Sequence, residues 1–243
     1  MGRVFAVTSG KGGVGKSTVS VGLAAAFCKK GERVLLVDMD EGLRCLDLML
    51  GTDSSTVFDL ADILAGKEIG DAVYPVQCIK DAFLIPAPSD FGRIDVFSLT
   101  GFAKSVREDY DTVIFDFPAG IDFTLYTALP KDTVFLTVAV PEPVSVRDAA
   151  AAGLKLANLG FSARLIINRF EYNAVRRGKC RNIDDIIDGS FIRLVGVVPE
   201  SRALKHFSVM HRLPERSRAF KAFKRITARL CGENAALPKP KKI

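Results

Sequence analysis

The chain has 243 residues, of which 48% are hydrophobic and 26% are charged, which is the composition of a folded globular protein and excludes general disorder. Its longest apolar runs have about seven residues, against roughly 20 for a membrane-spanning helix, so we expect no transmembrane segment. The net charge of +6 favours anionic partners such as nucleic acid or a membrane surface without choosing between them.

Short β-branched runs alternate with helical patterns along the chain, which predicts a parallel sheet with helical crossovers. Several strand candidates are apolar without alternation, as expected of strands covered on both faces. Strands are predicted over residues 4–8, 33–37, 83–86, 112–116, 134–140, 164–168 and 194–198. Helices are predicted over residues 16–29, 43–50, 57–64, 93–108, 145–159 and 216–231. We therefore expect one α/β domain over residues 1–232, with a single doubly wound, mostly parallel sheet flanked by helices, and a short basic tail containing Pro and Lys over residues 233–243.

The first predicted strand runs directly into a glycine-rich segment, and a helical pattern follows. This segment is Gly10-Lys11-Gly12-Gly13-Val14-Gly15-Lys16-Ser17-Thr18. Glycines let the backbone wrap closely around a phosphate, and the N–H groups of the loop and the helix N-terminus form a preorganised anion site. Lys16 would reach the terminal phosphates, and Ser17 offers the hydroxyl that such loops place on magnesium. The spacing in this strand-to-helix context predicts a P-loop that binds ATP with Mg²⁺.

Lys11 places a second lysine inside this loop, and the K-G-G-x-G-K-[ST] form resembles the MinD/ParA family of deviant Walker A ATPases. The resemblance implies a P-loop NTPase fold of the SIMIBI type and a homodimer when ATP is bound. In that family the extra lysine crosses to the partner's nucleotide, where its charge helps to neutralise the transferring phosphoryl group. Lys11 and Lys16 are thus expected to be catalytic, and all nine loop residues are expected to bind the nucleotide.

Residues 37–47, V-D-M-D-E-G-L-R-C-L-D, resemble the family's switch I segment, D-x-D-x-G-L-R-N-L-D. Asp40 lies 24 residues after Lys16, as in the family, and we assign it to orienting the attacking water. Asp38 is assigned to the magnesium shell. Cys45 replaces the asparagine that is usual in MinD proteins, so a polar contact from this position is not carried over.

A second acidic segment is the predicted strand 112–116, T-V-I-F-D, followed by F-P-A-G-I-D over residues 117–122. It resembles the family's Walker B strand with switch II. Asp116, at the carboxyl edge of the sheet beside the first strand, would hold magnesium through a water, and the Pro-Ala-Gly turn would sense the terminal phosphate. The predicted magnesium-binding residues are therefore Ser17, Asp38 and Asp116.

Later segments favour the MinD branch of the family. Residues 141–148, P-E-P-V-S-V-R-D, resemble a stretch in which an aspartate lies near the dimer contact, and here that residue is Asp148. Residues 173–188 parallel the family's N-x-x-R segment and acidic helix, and residues 194–200 parallel its L-x-G-V-I-P-E pattern. The resemblance covers residues 3–231.

Two residues at strand ends are expected at the nucleotide base. Asn168 stands where the family's asparagine reads the adenine edge, and Pro199 lies in the segment that parallels L-x-G-V-I-P-E. Ordinary strand-end turns also use such residues, so this alternative stays open.

The predicted last helix is amphipathic and basic. Its basic residues are Arg216, Arg218, Lys221, Lys224, Arg225 and Arg229, and its apolar residues are Phe220, Phe223, Ile226 and Leu230. Two interpretations stay open: a core helix with a solvated basic face, or peripheral contact with anionic lipid. The family's own anchor is a short helix at the extreme C-terminus, whereas residues from 233 onward are short and interrupted by proline.

The resemblance implies a spatial regulator of division-site placement. ATP would close the dimer, the dimer would recruit a division inhibitor, and slow hydrolysis, stimulated by an activating protein, would release it. One alternative is DNA partitioning, for which the basic residues are Arg169, Arg176, Arg177, Lys179 and Arg181. Another is regulation of flagellar number, although those relatives usually carry an extra N-terminal helix. The iron–sulfur relatives are excluded because switch II lacks cysteine.

The five cysteines are scattered and contain no C-x-x-C pair, which predicts reduced thiols. The first strand begins too early to leave room for a secretory signal. We therefore expect a cytoplasmic protein, with peripheral contact to the inner face of the membrane as an additional expectation.

Overall fold

The computed structural model describes residues 1–120, 123–211 and 214–243, and it contains an eight-stranded sheet. The strands are β1 Arg3–Thr8, β2 Val34–Asp38, β3 Tyr74–Pro75, β4 Ala82–Ile85, β5 Thr112–Asp116, β6 Val134–Ala139, β7 Ser162–Phe170 and β8 Leu194–Pro199. The helices are α1 Lys16–Cys28, α2 Cys45–Leu50, α3 Leu60–Leu64, α4 Val96–Ser105, α5 Pro143–Asn158, α6 Tyr172–Arg176, α7 Ile183–Ser190, α8 Arg202–Met210 and α9 Arg218–Leu230.

The strand order is β3-β4-β2-β5-β1-β6-β7-β8. Every pairing is parallel except that of β3 with β4, which confirms the predicted doubly wound, mostly parallel sheet. β1 lies between β5 and β6, so the chain moves to one side of β1 first and to the other side later. Ligands of such sheets bind at the carboxyl ends of the strands, where the strand order reverses. In this molecule that place is the end of β1.

Helices cover both faces of the sheet, because the strands carry apolar side chains on each face. Along β1, Phe5 and Val7 enter a core cluster with α1 and α9, whereas Val4 and Ala6 enter a second cluster with α3 and α4. A third, smaller cluster lies between the sheet end at β7 and β8 and the helices α5 and α7. Ile243 belongs to it, so the last residue of the tail packs against the domain.

Helix α9 packs against α1 and β8. Phe220 and Phe223 are buried, and a Cβ added to Gly22 of α1 would lie 2.3 Å from the Phe223 ring, so only glycine allows this close approach. Lys221 and Lys224 remain exposed on the opposite face. The apolar face of α9 therefore packs on the core and its basic face is exposed, and contact of that face with anionic lipid stays a prediction.

The predicted strands are all present, and the differences lie at the ends of elements and in short ones. β3 was not predicted; it has two residues, one of them proline, at the edge of the sheet. Helices α3 and α4 begin at Leu60 and Val96, later than predicted, because Asp59 and Asp95 cap their first turns from extended backbone. Among the helices of the described ranges, none is long and apolar enough to cross a membrane.

Candidate functional site

The glycine loop and two of the predicted aspartates meet at the carboxyl edge of three adjacent strands. Asp116, the last residue of β5, is the register partner of Val7 on β1 and of Asp38 on β2. The glycine loop leaves β1 one residue beyond this pairing. Parallel pairing therefore brings the loop and both aspartates to one place, although the three segments are far apart in the sequence.

The glycine loop needs glycine at particular positions. Gly13 and Gly15 have φ angles of 76° and 89°, in the left-handed region that favours glycine. Gly15 is also the N-cap of α1, so the loop turns directly into the helix. The first N–H groups of a helix have no partner within it, and they favour an anion here together with the helix dipole. The predicted phosphate-binding loop thus has the backbone that such a loop requires.

Two residues from later in the chain lie against the loop. A Cβ on Gly10 would be 2.6 Å from the Cβ of Asp148 in α5, and a Cβ on Gly15 would be 2.5 Å from the Asn168 amide nitrogen. Asn168 is 4% exposed, and its amide nitrogen donates to the Val14 carbonyl at 2.8 Å. Asn168 thus supports the loop directly.

Asn168 and Pro199 also share a small cavity with the loop, whose lining includes Gly15 and Thr18. Pro199 is the register partner of Phe170 on the neighbouring strand β7. The two residues expected at the nucleotide base therefore lie together at the start of α1. Their contact with adenine stays a prediction.

Lys16 and Asp40 face the same region. Lys16 is 8% exposed, and its charge acts on both Asp40 and Asp116. Burial raises the pKa of the Asp40 carboxyl, and the charge of Lys16 opposes that shift. Asp40 is held locally, since its backbone N–H donates to the Asp38 carboxylate at 3.0 Å.

Two carboxyl groups are buried side by side at this edge. Burial raises the pKa of Asp116 to about 6, against hydrogen bonds from Ser17 and Ser20 and the charge of Lys16. Burial and then the charge of Asp116 raise the pKa of Asp38 to about 7, against backbone hydrogen bonds from residues 40 and 46. A cation beside them would favour both charged forms.

The donor set fits magnesium that arrives with a nucleotide. It offers the Ser17 hydroxyl and the Asp116 carboxylate, both oxygen ligands of the kind that Mg²⁺ prefers. Within the described part of the chain, no group of three or more His, Cys, Asp or Glu is arranged to hold a metal ion. Such a site would rely on phosphate oxygens and water as well. Both Asp38 oxygens accept backbone N–H groups, from Asp40 and Leu46, so this side chain also anchors switch I.

Lys11 lies at the surface, at the edge of the loop. Its Nζ makes an ion pair with the Glu142 carboxylate at 2.9 Å, and both side chains are about half exposed. The loop is fixed beneath it, because the Ser9 hydroxyl donates to the Lys11 carbonyl at 2.8 Å. Within a single chain, the second lysine of the loop is therefore held by the residue that precedes α5.

Switch II is joined to the first strand by backbone contacts. The N–H groups of Phe117 and Gly120 donate to the carbonyls of Val7 and Ser9. The Pro-Ala-Gly turn thus lies beside the glycine loop, and its role in sensing the terminal phosphate stays a prediction. Ile121 and Asp122, which complete the predicted segment, lie outside the described residues.

Three polar side chains of the site region were not among the predicted residues. Ser20 is buried and donates to Asp116 at 2.7 Å; its only signal in the sequence is its position one helical turn after Ser17. Glu142 lies in residues 141–148, the segment from which only Asp148 was predicted. Glu41 follows the predicted Asp40 and binds three backbone N–H groups of a distant loop.

Two further sequence features have a clear placement. Cys45 is the first residue of α2. Burial, and then the surrounding carboxylates, raise the pKa of its thiol, which keeps the thiol protonated. The five basic residues considered for DNA all lie in exposed positions at the end of β7, on α6 and just after it. They are Arg169, Arg176, Arg177, Lys179 and Arg181.

Comparisons with known proteins agree with this geometry. A family model described as AAA domain matches residues 2–155. The septum site-determining protein MinD of Thermotoga maritima is 34% identical, with 98% of this chain and 91% of that protein covered.

Solved structures agree along almost the whole chain. A chain of the MinC:MinD cell division protein complex from Aquifex aeolicus matches with a TM-score of 0.88 at 31% identity, covering 98% of this chain and 99% of that one. MinD from Pyrococcus horikoshii, in complex with Mg-ADP, matches with a TM-score of 0.83 at 27% identity, covering 95% and 96%. The shared fold, the lysine-bearing glycine loop and the full-length similarity mean that the chain belongs to the MinD/ParA family of P-loop ATPases, in its MinD branch.

Proposed function

We propose that this chain is a switch ATPase of the MinD type, which hydrolyses ATP slowly, dimerises when ATP is bound and helps to place the division site. The observation that carries the proposal is the meeting of the glycine loop, Lys16, Asp40 and Asp116 at the end of β1. The relative solved with Mg-ADP supports the choice of nucleotide and metal. We place this activity in residues 1–232, with residues 233–243 as a tail.

The residues divide the work of phosphoryl transfer. The loop amides and Lys16 hold the phosphates, and Asn168 and Pro199 flank the base. Ser17 and Asp116, with support from Asp38, would hold magnesium, which neutralises charge on the phosphates. Asp40 orients the attacking water, because it is the carboxylate beside Lys16 that is partly open to solvent.

Dimerisation would complete this site through Lys11. Its ion pair with Glu142 joins two half-exposed side chains, and exposed pairs of this kind contribute about 0–1 kcal/mol. Such a contact is easily exchanged for the phosphates of a nucleotide held by a second copy. The slow basal rate follows, because one chain alone lacks this second positive charge at the reacting phosphate.

We also propose partners and a location of the MinD kind. A relative is solved as a MinC:MinD complex, which supports a division inhibitor as a partner of this chain. An ATPase-activating protein would complete the cycle. The protein would act in the cytoplasm, with the exposed basic face of α9 in peripheral contact with the membrane.

The central test replaces Asp40 with alanine. We expect Asp40→Ala to retain ATP-dependent dimerisation and to lose phosphate release, because the loop and Lys11 are intact while the water is no longer oriented. Size-exclusion chromatography with light scattering and a phosphate-release assay would measure both. Asp53→Ala, in an exposed position beyond switch I, is the control. Undiminished turnover by Asp40→Ala would contradict the assignment.

A further inference from the structure

Glu41 joins switch I to a second loop. We call residues 40–44 the switch I loop and residues 88–94 the brace loop. The Glu41 carboxylate accepts three successive backbone N–H groups of the brace loop, from Gly92 at 3.0 Å, Arg93 at 2.7 Å and Ile94 at 2.8 Å. Hydrogen bonds to an ionised acceptor are roughly twice as strong as neutral ones. One side chain therefore satisfies three backbone donors in a loop about 50 residues away.

Neighbouring residues of the switch I loop repeat this connection. The Gly42 N–H donates to the Pro88 carbonyl at 3.0 Å. A Cβ on Gly42 would lie 2.3 Å from the Phe91 ring, so the ring lies directly over this glycine. The Arg44 guanidinium reaches the Ser89 hydroxyl at 3.4 Å. The two loops are thus in contact along most of their length.

The brace loop is itself fixed at both ends. It leaves β4, whose parallel pairing with β2 brings both strand ends to the same edge of the sheet. At its other end Ile94 is buried in the second core cluster, and Asp95 caps the first turn of α4. The brace loop is therefore a fixed support for the Glu41 carboxylate and the switch I loop.

Asp40 lies between two anchors as a result. Its own N–H is held by Asp38 at 3.0 Å, and the next side chain is held by the brace loop. We propose that Glu41 is a positioning residue for hydrolysis, which fixes the switch I loop on the brace loop and so aims the Asp40 carboxylate at the attacking water. The inference rests on the proposed ATPase function. The family pattern D-x-D-x-G-L-R specifies no residue type at position 41.

The test is a graded series at residue 41. Glu41→Ala removes all three contacts, and Glu41→Asp is too short by one methylene to keep them. Glu41→Gln keeps one carbonyl oxygen for Arg93 and Ile94, but its amide group cannot accept from Gly92. We expect kcat to fall by at least about tenfold in the alanine and aspartate variants and less in the glutamine variant, since misplacing a catalytic group by an ångström can cost about 10²-fold. The KM for ATP should stay within about twofold, because the P-loop that binds the phosphates is unchanged.

Asp90→Asn is the matched control, since it removes one negative charge from an exposed position of the same brace loop. A second measurement does not depend on activity. Hydrogen–deuterium exchange of residues 91–95 in the nucleotide-free protein should become faster in Glu41→Ala and stay unchanged in Asp90→Asn, because three amide hydrogens lose their acceptor.

The outcomes separate this inference from the proposed function. Wild-type kcat in Glu41→Ala, while Asp40→Ala is inactive, overturns the inference and leaves the function standing. Retained turnover in Asp40→Ala overturns both. Unchanged exchange in residues 91–95, or a KM that rises as much as kcat falls, also overturns it. If Glu41→Ala does not fold, the glutamine variant decides: wild-type kcat there refutes the inference, and an intermediate kcat at unchanged KM supports it.

Discussion

At the scale of single residues, the site is held in an electrostatically costly arrangement. Asp116 is 2% exposed, and Asp38 is equally buried on the adjacent strand, so both charges are desolvated. The charge of Asp116 also repels that of Asp38, and the charge of Asp40 repels that of Asp116. Lys16 and the two serines offset only part of this cost. A magnesium ion arriving with a nucleotide would relieve it, so ligand binding and the charge state of the site are linked.

The raised pKa of Asp116 also predicts how the stability of the fold depends on pH. The folded pKa of Asp116, about 6, is above the ordinary value of 3.8, so its contribution to stability is present below pH 4 and is lost as the pH rises through 6. The loss amounts to about 3 kcal/mol. We expect Asp116→Asn to raise the melting temperature of the nucleotide-free protein at pH 8 by about 6–12 °C, and by much less at pH 4.

Calorimetry of the nucleotide-free protein at both pH values would measure this difference. Asp53→Asn, which removes a charge from an exposed position, should change neither value. Asp116→Asn should also lose the extra stability that Mg-ATP gives the wild-type protein. A lower melting temperature for Asp116→Asn at pH 8 would contradict the electrostatic argument.

At the level of residues, prediction was possible where the signal is local in sequence. Lys16 and Ser17 are fixed by the glycine loop, and Asp116 by the strand that it ends. The sequence did not predict Glu41, Ser20 and Glu142, because their hydrogen-bond partners are between about 50 and 131 residues away. Only the pairing of strands brings such side chains together, and no pattern within a single segment records it.

At the scale of elements, the buried strands were predictable and the short elements were not. A strand covered on both faces is apolar throughout, which leaves a strong signal. Helix α8 has nine residues, and only Leu204 and Phe207 among its described side chains pack against the core, while β3 has two residues, so each gives only a short signal. Helix α9 has a strong amphipathic pattern, which predicts its buried apolar face. The same pattern does not indicate what its exposed basic face contacts.

The exposed face of α9 gives a prediction about membranes. The pKa of Arg225 is lowered by burial and then by the nearby charge of Arg229, so positive charge is crowded here. We expect the double variant Lys221→Glu, Lys224→Glu to lose ATP-dependent binding to vesicles rich in phosphatidylserine by at least about tenfold, since each basic residue near such a surface contributes about 1 kcal/mol.

Co-sedimentation with vesicles would measure this, and Arg176→Glu, Arg177→Glu is the matched control on α6 and its C-cap. Equal vesicle binding by the α9 variant and wild type would contradict membrane contact through this face. The control pair also addresses the alternative function. ATP-dependent, salt-sensitive retention of DNA that only the Arg176/Arg177 variant loses would favour partitioning.

At the scale of the whole molecule, the proposed dimer contact and the proposed chemistry share one surface. The glycine loop, Lys11 and the start of α5 lie together at the edge of the nucleotide site. A second copy docking there would bring its own Lys11 to this chain's phosphates, and this chain's Lys11 would leave Glu142. The Lys11–Glu142 ion pair is therefore a contact that the single chain keeps and the proposed dimer gives up.

Glu142→Gln should consequently favour the dimer. Two such ion pairs, one in each copy, are broken on association, and each contributes at most about 1 kcal/mol. We expect the ATP-bound dimer of Glu142→Gln to form up to about thirtyfold more tightly, as measured by sedimentation velocity over a range of protein concentrations. Glu215→Gln is the matched control, because it breaks the half-exposed Lys29–Glu215 ion pair, 2.8 Å long, with the same change of charge. If both variants dimerise more tightly than wild type by the same factor, net charge and not the release of Lys11 controls assembly. If Glu142→Gln dimerises no more tightly than wild type, the prediction is wrong.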